Sequence, residues 1–215
     1  MAKLSYHYPK VIRMWHVLNA LCILTLIATG ISMYYVAPDR VLINFASAVK
    51  IHNISGVALS FSYLLFFIGN IVSGNNKYYK MPLKGLGQRL WKQSMYYLFG
   101  MFKGEKKPYP PTEHRKFNPL QKIFYVMIMY IGVPLVIISG WGLLFPESVI
   151  KALFGVSGIL ITDVLHVATG FFISLFLIIH IYISTVGHTR TSNFKAIVTG
   201  YGWIEDEEDN ENAED

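Results

Sequence analysis

Four long apolar runs, separated by polar connections, divide the chain. They cover Val11–Tyr35, Val49–Ser73, Ile123–Phe145 and Thr162–Val186. Each exceeds the roughly 20 residues that a helix rising about 1.5 Å per residue needs to cross a hydrocarbon core. Between Asn53 and Asn76, and again between Ile123 and Pro146, no Asp, Glu, Lys, Arg or His occurs. Neither stretch has the charged face of an amphipathic surface helix, so both are predicted to span lipid. The first run follows Lys3, Lys10 and Arg13 and has the outline of a secretory signal. It is too long for the apolar centre of a signal peptide and lacks an A-x-A-type cleavage site, so it is read as a helix that stays. The expectation is an all-α membrane protein, a bundle of four transmembrane helices.

Charge sets the expected orientation. Lys3, Lys10 and Arg13 precede the first run, and eleven Lys or Arg residues from Lys77 to Lys122 crowd the second connection, whereas the other two connections carry only Arg40 and Lys151. The positive-inside rule then puts both termini and the long middle loop in the cytoplasm. Within that loop, Gly85–Phe102 mixes Arg89 and Lys92 with Leu86, Leu90, Trp91, Tyr96, Tyr97, Leu98 and Phe99. This pattern predicts an interfacial amphipathic helix between the second and third spans, with its aromatics as membrane anchors.

Composition narrows the function. With 53% hydrophobic and 15% charged residues and a mean hydropathy of +0.39, the chain is too apolar for an ordinary water-soluble domain. Its single cysteine, Cys22, excludes an internal disulfide, a Cys-x-x-Cys redox pair, a Cys-ligated iron–sulfur cluster and a covalent c-type haem. The net charge of +6 hides an asymmetry, because eight of the 13 acids lie in Glu205–Asp215. The division expected is a membrane domain over 1–203 and a solvated, disordered acidic tail over 204–215. No nucleic-acid module accompanies the basic excess, which is read as membrane orientation.

Four histidines, His16, His52, His166 and His180, fall inside the runs, and His7, His114 and His188 fall outside or at an edge. An ionisable side chain in a span is costly and faces a partner inside the bundle. With the topology above, His16 and His180 share the inner leaflet, and His52 and His166 the outer one. His166 and His180 are 14 residues apart, about 21 Å of rise and about 40° of rotation, so one helix face offers a nitrogen to each level. Two matched pairs of neutral imidazoles are what two bis-histidine b-type haems require. A lone intramembrane histidine is an ordinary packing or proton-relay residue; four at two depths favour haem. Both outer histidines open a His-x-x-x-Gly pattern, with Gly56 and Gly170 one turn on, and Gly30 follows His16 by 14 residues. These glycines are candidates to let a porphyrin edge approach backbone, although glycine also serves simple helix packing. Arg13, one turn before His16, is a candidate for haem propionates and equally an inner anchor. Trp141 is expected at the outer interface, and Pro134 is expected to kink the third span.

Together Arg13-Met14-Trp15-His16, Asn19-Ala20, Thr29-Gly30, His52 to Gly56 and the His166/His180 pair resemble a bacterial di-haem cytochrome b family. That family includes the formate dehydrogenase gamma subunit and the cytochrome b subunits of Ni,Fe-hydrogenase and thiosulfate reductase. The resemblance covers nearly the whole chain and implies His16/His180 on the inner haem b and His52/His166 on the outer one. It also implies electron exchange with an iron–sulfur subunit and a catalytic subunit at the outer face, and with menaquinone or ubiquinone near the cytoplasmic haem, in the bacterial inner membrane. Lys116-Phe117-Asn118-Pro119-Leu120-Gln121-Lys122 resembles the family's Lys-Tyr-Asn-x-x-Gln-Lys stretch beside the quinone, departing from it at Phe117 and at Pro119-Leu120. Asn118 and Gln121 are therefore candidates for a quinone carbonyl, and Asn118 followed by Pro119 is equally a helix cap. The alternatives are a colourless histidine-dependent transporter or proton channel, and a stand-alone cytochrome b561-like protein that oxidises quinol.

Overall fold

In a computed structural model of the protein, residues 2–6, 8–35, 43–72, 83–112 and 117–205 are described. His7, Arg40, Lys77, Lys80, His114, Arg115, Lys116 and the tail beyond residue 205, all of which carried expectations, lie outside the described residues. Four helices are long and apolar enough to cross a membrane: α1 (Lys10–Tyr34), α2 (Phe45–Val72), a third span over Pro119–Leu144, and α6 (Gly158–Ser184). The third is built from α4 (Pro119–Met127) and α5 (Val133–Leu144), joined by a π-turn over Ile128–Gly132. Pro134 has no N–H and its ring collides with the carbonyl four residues back, so the preceding turn widens into that π-bulge.

Three of the spans start about one turn earlier than their apolar runs, each because of a polar or glycine device at the entry. Asn44 caps α2, its Oδ1 accepting from the amides of Ala46 (3.1 Å) and Ser47 (3.4 Å). Asn118 and Gln121 form a reciprocal capping box at the start of α4, with Pro119 in the first turn. Before α6, the strands β2 (Ala152–Leu153) and β3 (Val156–Ser157) make a hairpin whose turn, Phe154-Gly155, has φ of 51° and 80°. Gly158 then begins the helix where any Cβ would run into the Ile150 carbonyl.

The described residues cluster into two units. The larger membrane unit, 11–69 with 129–182, holds nearly all of α1, α2, α5 and α6. Its side chains are distributed inside-out. Thr29, Ser32, Ser62, Ser139 and Thr169 are buried, while Leu65, Ile138, Phe171 and Ile178 are exposed. Lipid is as apolar as any core, so small polar groups that bond across helices occupy the inside. Asn19 Nδ2 donates to Ser62 Oγ (2.7 Å) and Trp15 Nε1 to the Ser62 carbonyl (3.1 Å), tying α1 to α2.

The second unit, 1–10 with 70–128 and 183–215, contains α3 (Leu86–Leu98), α4 and α7 (Ser192–Thr199). The amphipathic helix expected in Gly85–Phe102 is α3 followed by a short 3-10 turn over Gly100–Lys103. An element without a local signal appears here: β1 (Ala2–Tyr6) pairs antiparallel with β4 (Tyr201–Glu205). Ile204 is 1% exposed, and β4 takes in the first two residues of the segment expected to be a solvated tail.

Candidate functional site

Within the membrane unit, the histidines meet in twos. The rings of His16 (α1) and His180 (α6) have centres 6.3 Å apart with planes at 49°. Those of His52 (α2) and His166 (α6) are 6.2 Å apart at 68°. An imidazole nitrogen lies about 1.1 Å from its ring centre, so a direct nitrogen–nitrogen hydrogen bond brings centres to about 5 Å. Two rings on opposite sides of one metal, each nitrogen about 2 Å from it, stand about 6.2 Å apart. Both pairs have the second spacing. Among the described residues no group of three or more His, Cys, Asp or Glu gathers, so a site built from side chains alone, as for zinc, is not assembled. A porphyrin supplies four ligands itself and needs two from the protein, which is the donor set each pair offers.

The His52/His166 pair is held from behind. Thr29 Oγ1 lies 2.9 Å from His52 Nδ1 and donates back along α1 to the Thr25 carbonyl (2.7 Å), with the Leu26 carbonyl at 3.2 Å. Ser139 Oγ repeats this on α5, 3.0 Å from His166 Nδ1, with the Leu135 carbonyl at 2.6 Å and that of Val136 at 3.3 Å. After each hydroxyl residue comes a glycine beside the same ring. A Cβ on Gly30 would stand 3.6 Å from His52 Cε1, and one on Gly140 only 3.1 Å from His166 Cε1. Gly140 therefore makes room for an imidazole, whereas at Gly30 a Cβ would be in ordinary contact with one. A Cβ on Gly56 would touch only Leu26 Cδ2 (3.9 Å), and one on Gly170 would meet nothing within 4 Å, leaving open space one turn from each outer histidine.

Arg13 lies half-buried in α1, one turn before His16. Trp141, expected as an interface anchor, donates from Nε1 to Ser60 Oγ (3.0 Å), which donates to the Gly56 carbonyl (2.8 Å). It thereby links the third span to the helix that carries His52.

In the second unit, Asn118 is mostly committed to structure. Its Oδ1 accepts from the Gln121 amide (2.8 Å), its own amide donates to Gln121 Oε1 (3.2 Å), and its Nδ2 donates to the Tyr97 hydroxyl (2.9 Å). Burial pushes the Tyr97 phenol above the usual tyrosine range, an effect partly offset by the bond from Asn118, so it is protonated at neutral pH. Gln93, one turn earlier on α3, also reaches Tyr97; it is 2% exposed and its Oε1 has no hydrogen-bond partner among the described residues. Gln93, Tyr97, Asn118 and Gln121 thus form one polar chain between α3 and α4. Of its two predicted members, Gln121 keeps its Nε2 donor outside the capping box.

The chain matches the family model described as prokaryotic cytochrome b561 over residues 7–200. The chain belongs to the prokaryotic cytochrome b561 family. It is 35% identical over 196 residues, 91% of this chain and 74% of the relative, to a protein of Escherichia coli strain K12 named cytochrome YdhU. It is 24% identical over 222 residues, 94% of this chain and 82% of the relative, to a Rhodobacter capsulatus protein named as a Ni/Fe-hydrogenase B-type cytochrome subunit. No solved structure matches it significantly. A b561-type cytochrome with four spanning helices is a multi-pass electron-transport protein of the bacterial inner membrane, and haem b is the group its family implies. The expected family resemblance and the all-α, four-span fold therefore hold. Sequence reasoning passed over Ser139, Gly140 and Gln93, and read Thr29 only as part of a motif. The available signal was a repeat: Thr29-Gly30 precedes His52-x-x-x-Gly56 as Ser139-Gly140 precedes His166-x-x-x-Gly170.

Proposed function

We propose that this cytochrome is the membrane electron-transfer subunit of a respiratory oxidoreductase, with two bis-histidine haems b. His16 and His180 hold the one nearer the cytoplasm, and His52 and His166 the one nearer the outer face, with both termini cytoplasmic. The observation that carries this reading is the pair of ring separations, 6.3 and 6.2 Å, which fit an iron between the rings and not a direct hydrogen bond between them. The bound haems supply one-electron transfer. The protein supplies two neutral imidazoles per level, apolar walls that exclude water, and Arg13 as a cation for the inner haem's carboxylates. Gly56 and Gly170 leave room for a macrocycle edge beside the outer histidines.

A catalytic subunit with an iron–sulfur partner at the outer face exchanges electrons with the outer haem, and menaquinone or ubiquinone exchanges them at the cytoplasmic side. The Rhodobacter relative, named as a hydrogenase subunit, supports an assembly of this kind. For the quinone, Gln121 Nε2 is the donor to a carbonyl, Gln93 lines the same polar chain, and Asn118 positions Gln121 through the capping box. The test is purification from membranes. The expected result is about two b-type haems per chain by pyridine haemochrome and an iron–sulfur protein that copurifies. A colourless chain that moves protons without redox input overturns the reading, and a pigmented but solitary chain overturns its partner half.

A further inference from the structure

A hydroxyl group has one proton to donate and two lone pairs to accept with. The Thr29 proton is directed at the backbone, at the Thr25 carbonyl 2.7 Å away. A carbonyl can only accept, so that proton is committed, and the oxygen 2.9 Å from His52 Nδ1 is an acceptor there. His52 must then carry its hydrogen on Nδ1, where the Leu26 carbonyl is a second acceptor, as the Val136 carbonyl is for His166. The same argument holds for Ser139, whose proton goes to the Leu135 carbonyl at 2.6 Å while its oxygen stands 3.0 Å from His166 Nδ1.

We propose that Thr29 and Ser139 are positioning residues that lock His52 and His166 in the Nδ1–H form, so that both unprotonated Nε2 atoms are the ligands at the outer haem. The inference rests on the bis-histidine reading above and assigns that pair a supporting shell from α1 and α5. The two hydroxyls come from helices with different local sequences and yet repeat every detail. Each back-bonds four residues up its own helix, each meets a histidine Nδ1, and each is followed by a glycine that lies against the ring. Coincidence at one site is ordinary, because serine and threonine in membrane helices commonly bond the carbonyl four residues back. A matched second copy on the partner ligand is not. Chemically, N–H···O–H···O=C is a polarised chain in which each bond strengthens the next. It draws the Nδ1 proton outward, makes Nε2 a stronger donor and favours the oxidised metal.

The test uses the full chain with Thr29→Val, Ser139→Ala and the double variant, and Thr29→Ser as the conservative control. In haem-depleted wild type with 15N-labelled histidine, assigned by single histidine substitutions, His52 and His166 are expected to be protonated at Nδ1; the double variant, which keeps only the Leu26 and Val136 carbonyls as acceptors, is expected to gain a share of the Nε2–H form. In loaded protein, the outer component is expected to lose haem about 10–100-fold faster and to shift to a more positive midpoint. The inner component should stay fixed, and Thr29→Ser should behave as wild type. Wild-type spectra with the proton on Nε2 overturn the proposal, as does a double variant with unchanged outer midpoint and haem retention. A wild-type chain that takes up no haem instead removes the bis-histidine reading, and the nitrogen spectra still decide the tautomer.

Discussion

The His52/His166 and His16/His180 pairs have nearly the same ring separation and different neighbours. In the His52/His166 pair both imidazoles have a hydroxyl on Nδ1 and a glycine against Cε1, contributed by helices other than their own. In the His16/His180 pair, His180 stacks on Phe176 of its own helix (5.6 Å, 21°), and among the described residues no side-chain hydroxyl is bonded to His16. Ring orientation at His52 and His166 is tied to hydrogen bonds of fixed direction, and at His180 an aromatic stack contributes to it. Under the proposed function, the first arrangement suits a centre that only relays electrons, which gains from a fixed ligand field.

The contrast can be broken most severely at the ligands. His52→Ala or His166→Ala should remove one spectral component, and His16→Ala or His180→Ala the other together with quinone reactivity. Reduced-minus-oxidised spectra at low temperature check this, and loss of the same component from His16→Ala and His166→Ala would falsify the pairing. Next in size, Gly140→Ala places a methyl about 3.1 Å from His166 Cε1 and should cost about 1–3 kcal/mol through overpacking. Thermal unfolding should show the loss, and the outer band should broaden alone. Gly170→Val enters space with no neighbour within 4 Å, so its unfolding midpoint should move less, while outer-haem retention falls. Smallest, Phe176→Leu removes the stack on His180 and should weaken the inner site by about 0.5–1.5 kcal/mol. Haem release from the inner component measures it, with the outer component as the internal standard.

How much of this was readable in advance varies with the range of the force involved. Spans and histidine depths came from transfer energetics, which act residue by residue: a long run without charges must be in lipid, and an imidazole within one must face a partner. Helix entry points were placed late because they depend on caps. Asn44, the Asn118–Gln121 box and Gly158 are polar or glycine positions outside the apolar runs. Asn118 itself carried two readings, and its bonds to Gln121 and Tyr97 commit most of it to the cap. The β1–β4 pairing had no local signature at all, because its register joins Ala2 to Glu205.

The order of residues was enough to establish a membrane-embedded helical cytochrome with two levels of histidine, since burial cost and helical repeat depend on composition and spacing along one strand of chain. It was not enough to single out Thr29 and Ser139 from the other hydroxyls in the spans. Ser60, Thr162 and Ser174 each satisfy the carbonyl four residues back in the same way. What separates Thr29 and Ser139 is which neighbouring helix faces the second lone pair, and that is settled only when α1 packs against α2 and α5 against α6.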